Sequence, residues 1–274
     1  IHYPEYLPIF LRSFKRWYSD ITYELPDLLE AWAEPDKSTA ILLLSGEYYD
    51  PLIRRYVIKN LETWNDADLS LFMLQIVRSL EVEHEDDSEI AKFLLKRASL
   101  EPKYLGLQLF WQLKSLFDIP WMHHRVLWMN AALVAFSDLH EKFLFSFTFT
   151  ESLFRICKEK KIKQNKIGDE LPMLPVDAYT QLPIDPKLIV KDYVISECFF
   201  ADSSKRPLIL SFKPADPFCN DNIKMMVKVN DDLRQDMITL QIIDVMDELW
   251  KREGMNMRMK IYSVLATGDN QGII

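Results

Sequence analysis

The stretch IKMMVKVNDDLRQDMITLQIIDVMDELW, residues 223–250, organises the rest of this sequence. Apolar and polar side chains largely alternate over residues 223–229, which predicts a short strand. Residues 230–232, Asn-Asp-Asp, then predict a turn that also suits the start of a helix. Apolar residues recur after it at helical spacing and predict an amphipathic helix over roughly residues 233–250. The apolar strand positions are Met225, Val227 and Val229, and the apolar helix positions are Ile238, Ile242, Val245 and Leu249.

Lys228 is the member of this strand that points to a function. Its charge lies at the end of an otherwise apolar strand, where it needs a partner or a ligand. Asp236 lies one turn inside the predicted helix. A strand lysine and a helix carboxylate can hold a cation against a nucleotide phosphate, as they do in protein kinases. The alternative is a surface lysine on an edge strand, followed by an ordinary capped helix.

The string at residues 228–236, Lys-Val-Asn-Asp-Asp-Leu-Arg-Gln-Asp, carries a resemblance to a known family. It resembles the signature Lys-x-Gly-Asp-Asp-Leu-Arg-Gln-Asp of the phosphoinositide 3- and 4-kinases. Asn230 stands where that signature has Gly. Because Asn tolerates left-handed backbone angles better than most residues, we expect the turn to survive.

Composition sets outer limits on the kind of protein. The chain has 274 residues, enough for one large or two ordinary domains, and 49% apolar residues allow a substantial core. A net charge of -8 argues against general nucleic-acid binding. Cys157, Cys198 and Cys219 are scattered without metal-ligand spacing, which is consistent with a reducing compartment. The first residues lack Met and a signal-peptide pattern, so we expect an internal cut there.

Short helical patterns separated by polar turns fill the first half of the sequence. They predict an α-helical solenoid over residues 1–130. The acidic run at residues 81–87 is expected to be a solvated loop rather than a metal site. Segments such as YPEYLPIFLRS and FWQLKS look like the accessory helical domain of phosphatidylinositol 3-kinases, a scaffold in that family. The predicted helices are Tyr6–Trp17, Leu25–Trp32, Lys37–Ser45, Asp50–Leu61, Asp66–Leu80, Glu89–Ser99 and Lys103–Leu116.

The second half changes from helices to strands. Residues 121–157 are expected to be lead-in helices, and residues 158–166 a lysine-rich exposed linker or, as the alternative, an anionic-lipid contact. Residues 171–187, with four prolines, are expected to have little regular structure. Strands are predicted at Tyr193–Phe200, Pro207–Phe212 and Lys260–Thr267, with a tight hairpin turn at Gly268–Gly272.

Together with the resemblance, these patterns predict an α+β chain. The accessory helical domain occupies residues 1–130. Residues 131–274 hold lead-in helices and the antiparallel-sheet small lobe of a lipid kinase, ending before the hinge and the large lobe.

The sequence contains neither a G-x-G-x-x-G nor a Walker A motif, so a phosphate cradle must use side chains and ordinary backbone amides. The predicted hairpin tip, residues 203–207 (Ser-Ser-Lys-Arg-Pro), places hydroxyl donors beside cations that can hold a polyphosphate. It resembles the phosphate-binding loop of phosphatidylinositol 3-kinases, which also lacks glycine. The tip and residues 212–217 look most like class I members.

The resemblance also implies roles for individual residues in ATP binding. Lys228 would contact the α-phosphate, and Asp236 would orient it and shape the inner pocket together with Tyr262. Met226 would line the adenine slot, and Ile274 would lie just before the hinge. For Met226 and Tyr262, a place in the core is the alternative. The full predicted ATP-binding set is Ser203, Lys205, Met226, Lys228, Asp231, Asp236, Tyr262 and Ile274.

Catalytic and metal-binding residues are not predicted within this chain. In the family they belong to an Asp-Arg-His-x-x-x-Asn loop and an Asp-Phe-Gly motif. Neither motif is matched by His123-His124-Arg125 or by Ser137-Asp138-Leu139-His140. The ligands of Mg²⁺ are therefore expected beyond residue 274, and these residues alone are expected to be inactive.

The resemblance implies a phosphatidylinositol 3-kinase that uses ATP and Mg²⁺ to phosphorylate the 3-hydroxyl of inositol lipids. The expected partners are a phosphoinositide lipid at the membrane surface and a regulatory or adaptor subunit, with no nucleic acid. The expected location is the cytoplasm, with peripheral recruitment to membranes. Two alternatives stay open: a phosphatidylinositol 4-kinase, and a non-catalytic helical-repeat scaffold.

Overall fold

The computed structural model describes residues 3–13, 19–135, 140–159 and 179–274, together with Ile167, Leu171 and Val176. The chain divides into two compact units, Ile1–Arg97 and Ala98–Ile274. The boundary that the sequence predicts between residues 130 and 131 stays a prediction. Parts of four predictions lie outside the described residues: the end of the first helix at residues 14–17, residues 137–139, nearly all of the linker at residues 158–166, and residues 172–175 and 177–178 of the proline-rich segment.

Six α-helices lie in the described chain up to residue 100, and they confirm the predicted helices of this region. Helix α4 begins as its sequence predicts, because Pro51 occupies the first turn and the Asp50 carboxylate accepts the Leu52 N–H at 2.8 Å. Helix α2 begins at Ser19, earlier than the predicted Leu25. The bounds are α1 Leu7–Ser13, α2 Ser19–Ala31, α3 Lys37–Leu43, α4 Pro51–Leu61, α5 Asp66–Arg78 and α6 Glu89–Leu100.

The acidic run at residues 81–87 is only partly the solvated loop that the sequence predicts. Its first two residues end a 3-10 helix, Ser79–Val82, and the Glu83 side chain is 5% exposed. The Arg54 guanidinium donates from Nε to Glu83 Oε1 at 2.7 Å and from Nη1 to the Leu43 carbonyl at 2.7 Å. Because a buried Arg54 requires a counter-charge, the Glu83 side chain packs against it instead of lying in solvent.

Four further α-helices lie in the described part of the second unit. Residues 102–106 form a π-helical turn that leads into α7. The buried Trp111 of α7 donates its indole N–H to Ser146 Oγ of α9 at 3.0 Å, which ties these two helices together. None of the described helices is long and apolar enough to span a membrane. The bounds are α7 Leu107–Ser115, α8 His123–Ala135, α9 His140–Lys158 and α10 Arg234–Arg252.

The second unit contains one antiparallel sheet of seven strands among the described residues. Its strand order is β1-β2-β4-β5-β7-β6, and β3 pairs with β4 beside this path. Helices followed by an antiparallel sheet confirm the predicted α+β fold class. The bounds are β1 Thr180–Leu182, β2 Asp185–Tyr193, β3 Phe199–Phe200, β4 Leu208–Pro214, β5 Ile223–Val229, β6 Leu265–Gly268 and β7 Gln271–Ile273.

Three predictions for this region are wrong in detail. The predicted strand Tyr193–Phe200 is interrupted, because β2 ends at Tyr193 and Ile195–Glu197 form a 3-10 helix before the two-residue β3. A hairpin of β1 and β2 begins inside residues 171–187, where the prolines predicted little regular structure. Pro186 is tolerated because it lies near the start of its strand. The predicted strand Lys260–Thr267 begins only at Leu265, because β6 pairs with β7 from Leu265 onwards and residues 260–264 lie outside any described strand.

The core of the sheet packs on α9. Residues of β4 and β5 that alternate inward meet the apolar face of that helix, and each fully buried side chain of this size stabilises the fold by about 1.5–3 kcal/mol. The buried residues of β5, Met225, Val227 and Val229, are therefore the apolar positions of the alternation in its sequence. Central members of this cluster are Phe149, Leu153, Phe154, Leu210, Phe212, Met225 and Val227.

Gly272 of β7 marks the tightest approach between β6, β7 and the segment that precedes α10. A Cβ at this position would lie 2.5 Å from the Leu265 carbonyl oxygen and 2.8 Å from Leu233 Cδ1. Gly272→Ala should therefore lower the free energy of unfolding by about 1–3 kcal/mol, the usual cost of overpacking. Urea denaturation followed by circular dichroism measures this loss.

Gly268→Ala is the matched control, because its Cβ would meet its nearest neighbour, Gln271 Nε2, at an ordinary 3.5 Å. It should cost clearly less than Gly272→Ala. Equal losses in the two variants would contradict the close approach at Gly272.

Candidate nucleotide-binding site

The turn between β5 and α10 positions the candidate site. Asn230 has φ 59, so it takes the left-handed conformation that the sequence predicts. The next N–H, that of Asp231, donates to the Asn270 carbonyl at 3.0 Å. This bond ties the turn to the two-residue turn between β6 and β7. The geometry confirms that Asn230 preserves the turn where the family signature has Gly.

The Asp231 carboxylate brings together two lysines from different elements. Lys228, at the end of β5, lies 3.2 Å from Asp231 Oδ2 through its Nζ. Lys205, in the loop between β3 and β4, forms an ion pair with Asp231 Oδ1. The side chains of Lys228 and Asp231 are 24% and 22% exposed, and that of Lys205 is 50% exposed. Two cations therefore flank one carboxylate at the solvent boundary.

These lysines affect the titration of the carboxylate between them. The pKa of Asp231 is lowered, first by its hydrogen bond with Lys205 and then by the hydrogen bond and charge of Lys228, against an opposing effect of partial burial. Asp231 is therefore ionised at neutral pH. With two ammonium groups and one carboxylate, the cluster carries a net positive charge that suits an anionic ligand.

The loop that carries Lys205 is a tight, exposed turn. The Ser203 N–H donates to the Ala201 carbonyl at 3.0 Å, and the Arg206 N–H donates to the Ser203 carbonyl at 3.0 Å. Arg206 has φ 45, and its guanidinium lies 4.1 Å from the centre of the Phe200 ring. The stacked arginine and the backbone bonds fix the turn, while Ser203 stays exposed at its tip.

Met226 of β5 lies beside Ile274, which directly follows the neighbouring strand β7. The Met226 N–H donates to the Ile274 carbonyl at 2.7 Å, and the Ile274 N–H donates to the Met226 carbonyl at 2.8 Å. Both residues are half-buried. Two of the residues predicted to lie at the adenine site are therefore paired through their backbones. The pair lies two residues before Lys228 along β5.

Asp236 and Tyr262 are placed apart from this cluster. Asp236 is exposed in the first turn of α10. Tyr262 is 57% exposed and lies between α10 and β6, outside the strand predicted for it. Within the described ranges, neither makes a hydrogen bond or ion pair with Lys228 or Asp231. Their roles in an inner pocket stay predictions.

A second set of contacts surrounds the turn, and the sequence did not predict it. Arg234 grips Asp232 through two hydrogen bonds, of 2.8 and 2.7 Å, and also reaches Asp269 Oδ1 at 3.4 Å. The pKa of Asp232 is lowered, chiefly by the hydrogen bond from Arg234. Asp118, which follows α7, accepts the Asp269 N–H at 2.7 Å. The Asp-x-Arg spacing in the signature could have indicated the first pair, whereas no local pattern indicates the contact of Asp118.

The chemistry available to this cluster is the binding of anions. Lysine ammonium groups and exposed backbone amides hold phosphate oxygens without help from a glycine-rich loop. Among the residues that the structure describes, no three His, Cys, Asp or Glu side chains come together as metal ligands would.

Comparison with known proteins agrees with this combination of fold and site. The family model of the phosphoinositide 3-kinase family accessory domain (PIK domain) matches residues 1–144, and that of phosphatidylinositol 3- and 4-kinase matches residues 222–274. The second match begins just before β5 and contains Lys228, Asp231, α10, β6 and β7. The chain belongs to the phosphoinositide 3-kinase family.

Curated relatives extend this similarity over nearly the whole chain. Human phosphatidylinositol 4-phosphate 3-kinase C2 domain-containing subunit beta is 30% identical over 98% of this chain and 17% of its own length. Phosphatidylinositol 3-kinase 2 and phosphatidylinositol 3-kinase 1 of Dictyostelium discoideum are each 30% identical. They cover 89% and 100% of this chain, over 13% and 18% of their own lengths. The chain thus spans less than a fifth of these relatives.

Asp231→Asn tests the electrostatics of the cluster through the pH dependence of stability. Because the folded-state pKa of Asp231 is lowered, its contribution is present above the unfolded value of about 3.9 and is lost as pH falls through the folded value. The variant should be less stable than the parent at pH 7, by roughly 1 kcal/mol or less for a partly exposed pair. The two proteins should converge in acid. Urea denaturation at pH values from 7 down to 3 measures this difference.

Asp202→Asn is the control, since Asp202 is an exposed carboxylate in the same loop as Lys205. It should give no comparable pH-dependent difference. A constant difference between Asp231→Asn and the parent at every pH would rule out the proposed electrostatic contribution.

Proposed function

We propose that this chain is part of a phosphatidylinositol 3-kinase that transfers the γ-phosphate of ATP to the 3-hydroxyl of an inositol lipid. The observation that carries the proposal is the shared position of Lys228 and Lys205 on the two sides of Asp231. The signature at residues 228–236 and the names of the relatives support the same activity.

In this proposal the two lysines bind the phosphates of ATP. Lys228 projects from the end of β5, where partial burial reduces competition from water, and it contacts the α-phosphate. Lys205 is more exposed and, with the hydroxyl of Ser203, holds the outer phosphates. A triphosphate competes with the Asp231 carboxylate for both ammonium groups, so Asp231 keeps the lysines close together until the nucleotide arrives.

The base of the nucleotide is assigned to the far side of Lys228. Met226 lines the adenine slot, and Ile274 lies beside it at the approach to the hinge, in keeping with their backbone pairing. Asp236 and Tyr262 are assigned to the inner pocket. Tyr262 needs to move from its exposed position to take that role, because its side chain is 57% exposed.

Catalysis itself is assigned outside these 274 residues. The chain contains no Asp-Arg-His-x-x-x-Asn or Asp-Phe-Gly motif. Mg²⁺, when bound, neutralises the charge that develops on the transferred phosphoryl group. We therefore propose that this chain alone binds ATP weakly and does not transfer phosphate.

The proposed substrate and partners follow from the family. A kinase of this kind meets a phosphoinositide lipid at a membrane surface, works in the cytoplasm as a peripheral protein, and pairs with a regulatory or adaptor subunit. The phosphate loop resembles class I members, whereas two of the human relatives are named C2 domain-containing subunits. The proposal therefore concerns the activity shared by the family and leaves the class open.

The alternative to this proposal is a phosphatidylinositol 4-kinase. The model that matches residues 222–274 covers phosphatidylinositol 3- and 4-kinases together. Both activities use the same nucleotide groups, so the position that is phosphorylated on the inositol ring decides between them.

Lys228→Ala and Lys228→Arg in a full-length enzyme that carries these residues test the proposal. Alanine removes a phosphate contact, and the planar fork of arginine does not replace a compact ammonium. Each change should lower kcat/KM for ATP by at least about a hundredfold, the scale of losing one electrostatic contact in a transition state. The assay measures transfer of labelled phosphate to phosphatidylinositol, with identification of the ring position in the product.

Lys213→Ala is the control. Lys213 is also a strand lysine, but it lies on β4 with its side chain 52% exposed, and its Nζ is 4.0 Å from Asp192 Oδ2. It should keep nearly full activity. The 274-residue chain, assayed beside the enzyme, should show no transfer. Near-normal activity of Lys228→Ala would refute the assigned role, and turnover by the short chain would refute the placement of catalysis outside it. A 4-phosphate product would favour the alternative.

A further inference from the structure

The turn between β6 and β7 is held on one side by α7 and the residues that follow it. The Asp269 N–H donates to Asp118 Oδ2 at 2.7 Å, and Lys114 Nζ of α7 donates to the Thr267 carbonyl at 3.4 Å. Asp118 and Lys114 fall within residues 1–144, which match the accessory-domain model, whereas the turn falls within residues 222–274. Lys114, Asp118 and the turn all belong to the same compact unit, Ala98–Ile274.

The same turn is also held from the side of the candidate nucleotide site. Its Asn270 carbonyl accepts the N–H of Asp231, at 3.0 Å, and its Asp269 carboxylate accepts from Arg234 Nη2 at 3.4 Å. Asp231 is the residue that pairs with both candidate phosphate-binding lysines. Two hydrogen bonds, one on either side of the turn, thus connect Asp118 to the residue that lies between those lysines.

The strands on either side of the turn carry its position further into the site. Gly272 of β7 is the partner of Lys228 in the antiparallel register, and Ile274 exchanges two backbone hydrogen bonds with Met226. A shift of the turn relative to α7 moves both partners. The fit around Gly272 leaves little room for β7 to shift independently, because even a Cβ added there would lie 2.5 Å from the Leu265 carbonyl oxygen and 2.8 Å from Leu233 Cδ1.

We propose that Asp118 is a positioning residue for nucleotide binding, which fixes the β6–β7 turn against α7 and thereby sets the place of Asp231 and Lys228. This inference rests on the proposed function for its link to ATP, but the contact and its mechanical effect do not. A carboxylate that accepts a backbone N–H makes a stronger bond than a neutral acceptor. Asp118 therefore holds one particular amide of the turn, which apolar packing does not do.

In this proposal, α7 acts on the nucleotide site through a defined route. The path runs through named hydrogen bonds, from Asp118 to the Asp269 N–H and from the Asn270 carbonyl to the Asp231 N–H. Anything that moves the end of α7 acts on this turn directly.

Hydrogen exchange of the 274-residue protein tests the contact without any nucleotide. Asp118→Ala removes the acceptor, while Asp118→Asn keeps an acceptor oxygen and removes the charge. In Asp118→Ala, exchange over residues 265–274 and at the Asp231 amide should speed up roughly three- to tenfold, as expected for one lost hydrogen bond. Asp118→Asn should give a smaller change. Exchange in α8 should stay as in the parent.

Glu141→Gln is the matched control, since Glu141 is an exposed carboxylate in the first turn of α9. It should leave exchange of the turn unchanged. Unchanged exchange at the turn in Asp118→Ala would overturn the proposal, and so would an equal increase throughout the second unit, because that would show a general loss of stability.

Kinetics of the full-length enzyme supply the readout that a purely structural role would not change. Asp118→Ala should raise KM for ATP severalfold more than it lowers kcat, with Asp118→Asn intermediate, because the binding groups are displaced while the catalytic residues are untouched. Altered exchange with an unchanged KM would reduce Asp118 to a structural residue and overturn the positioning role. If the parent enzyme has no ATP-dependent activity, the proposed function fails, and the exchange result still decides whether Asp118 fixes the turn.

Discussion

The ion pairs that Asp231 makes with Lys228 and Lys205 are the interaction on which the candidate site depends. Lys228 belongs to a strand in the middle of the sheet, and Lys205 belongs to a loop at the end of a short hairpin. Two ammonium groups repel each other, so without the carboxylate they would stay apart. The two ion pairs with Asp231 hold the ammonium groups of Lys228 and Lys205 close together, and both side chains stay partly exposed to a ligand.

The fold supports this cluster through the backbone around it. The left-handed Asn230 turns the chain from β5 towards α10 and directs the Asp231 N–H to the turn between β6 and β7. The β6–β7 turn also donates the Asp269 N–H to Asp118, which lies beyond the end of α7. Helix α7 and the sheet, both in the second unit, are therefore connected beside the candidate site. If the proposed nucleotide site is correct, we expect a change at the end of α7 to alter ATP binding without any change in Lys205, Lys228 or Asp231.

Local sequence predicted the elements whose formation is decided locally. The alternation of residues 223–229, the helical spacing after Leu233 and the Asp50-Pro51 cap all lead to the elements that form. The likeness to the kinase signature added the pairing of Lys228 with the loop of Lys205, which no spacing along the chain contains. Predictions failed where distant partners decide the outcome. The Glu83 side chain packs against the buried Arg54 instead of lying in solvent, and residues 260–264 have strand-like alternation but lie outside the strands. The contact of Asp118 with the Asp269 amide joins residues that are far apart in sequence, so only the folded chain reveals it.

Covalent labelling by an ATP derivative with a lysine-reactive acyl phosphate tests the account most directly. Such a reagent acylates the lysine whose amine lies beside the bound phosphates, and digestion with mass spectrometry identifies that lysine. In a full-length enzyme that carries these residues, the account predicts labelling of Lys228, with Lys205 as the second site, and protection of both by excess ATP. Labelling of other lysines, or labelling of Lys228 that ATP does not reduce, would contradict the assignment of this cluster as the phosphate site.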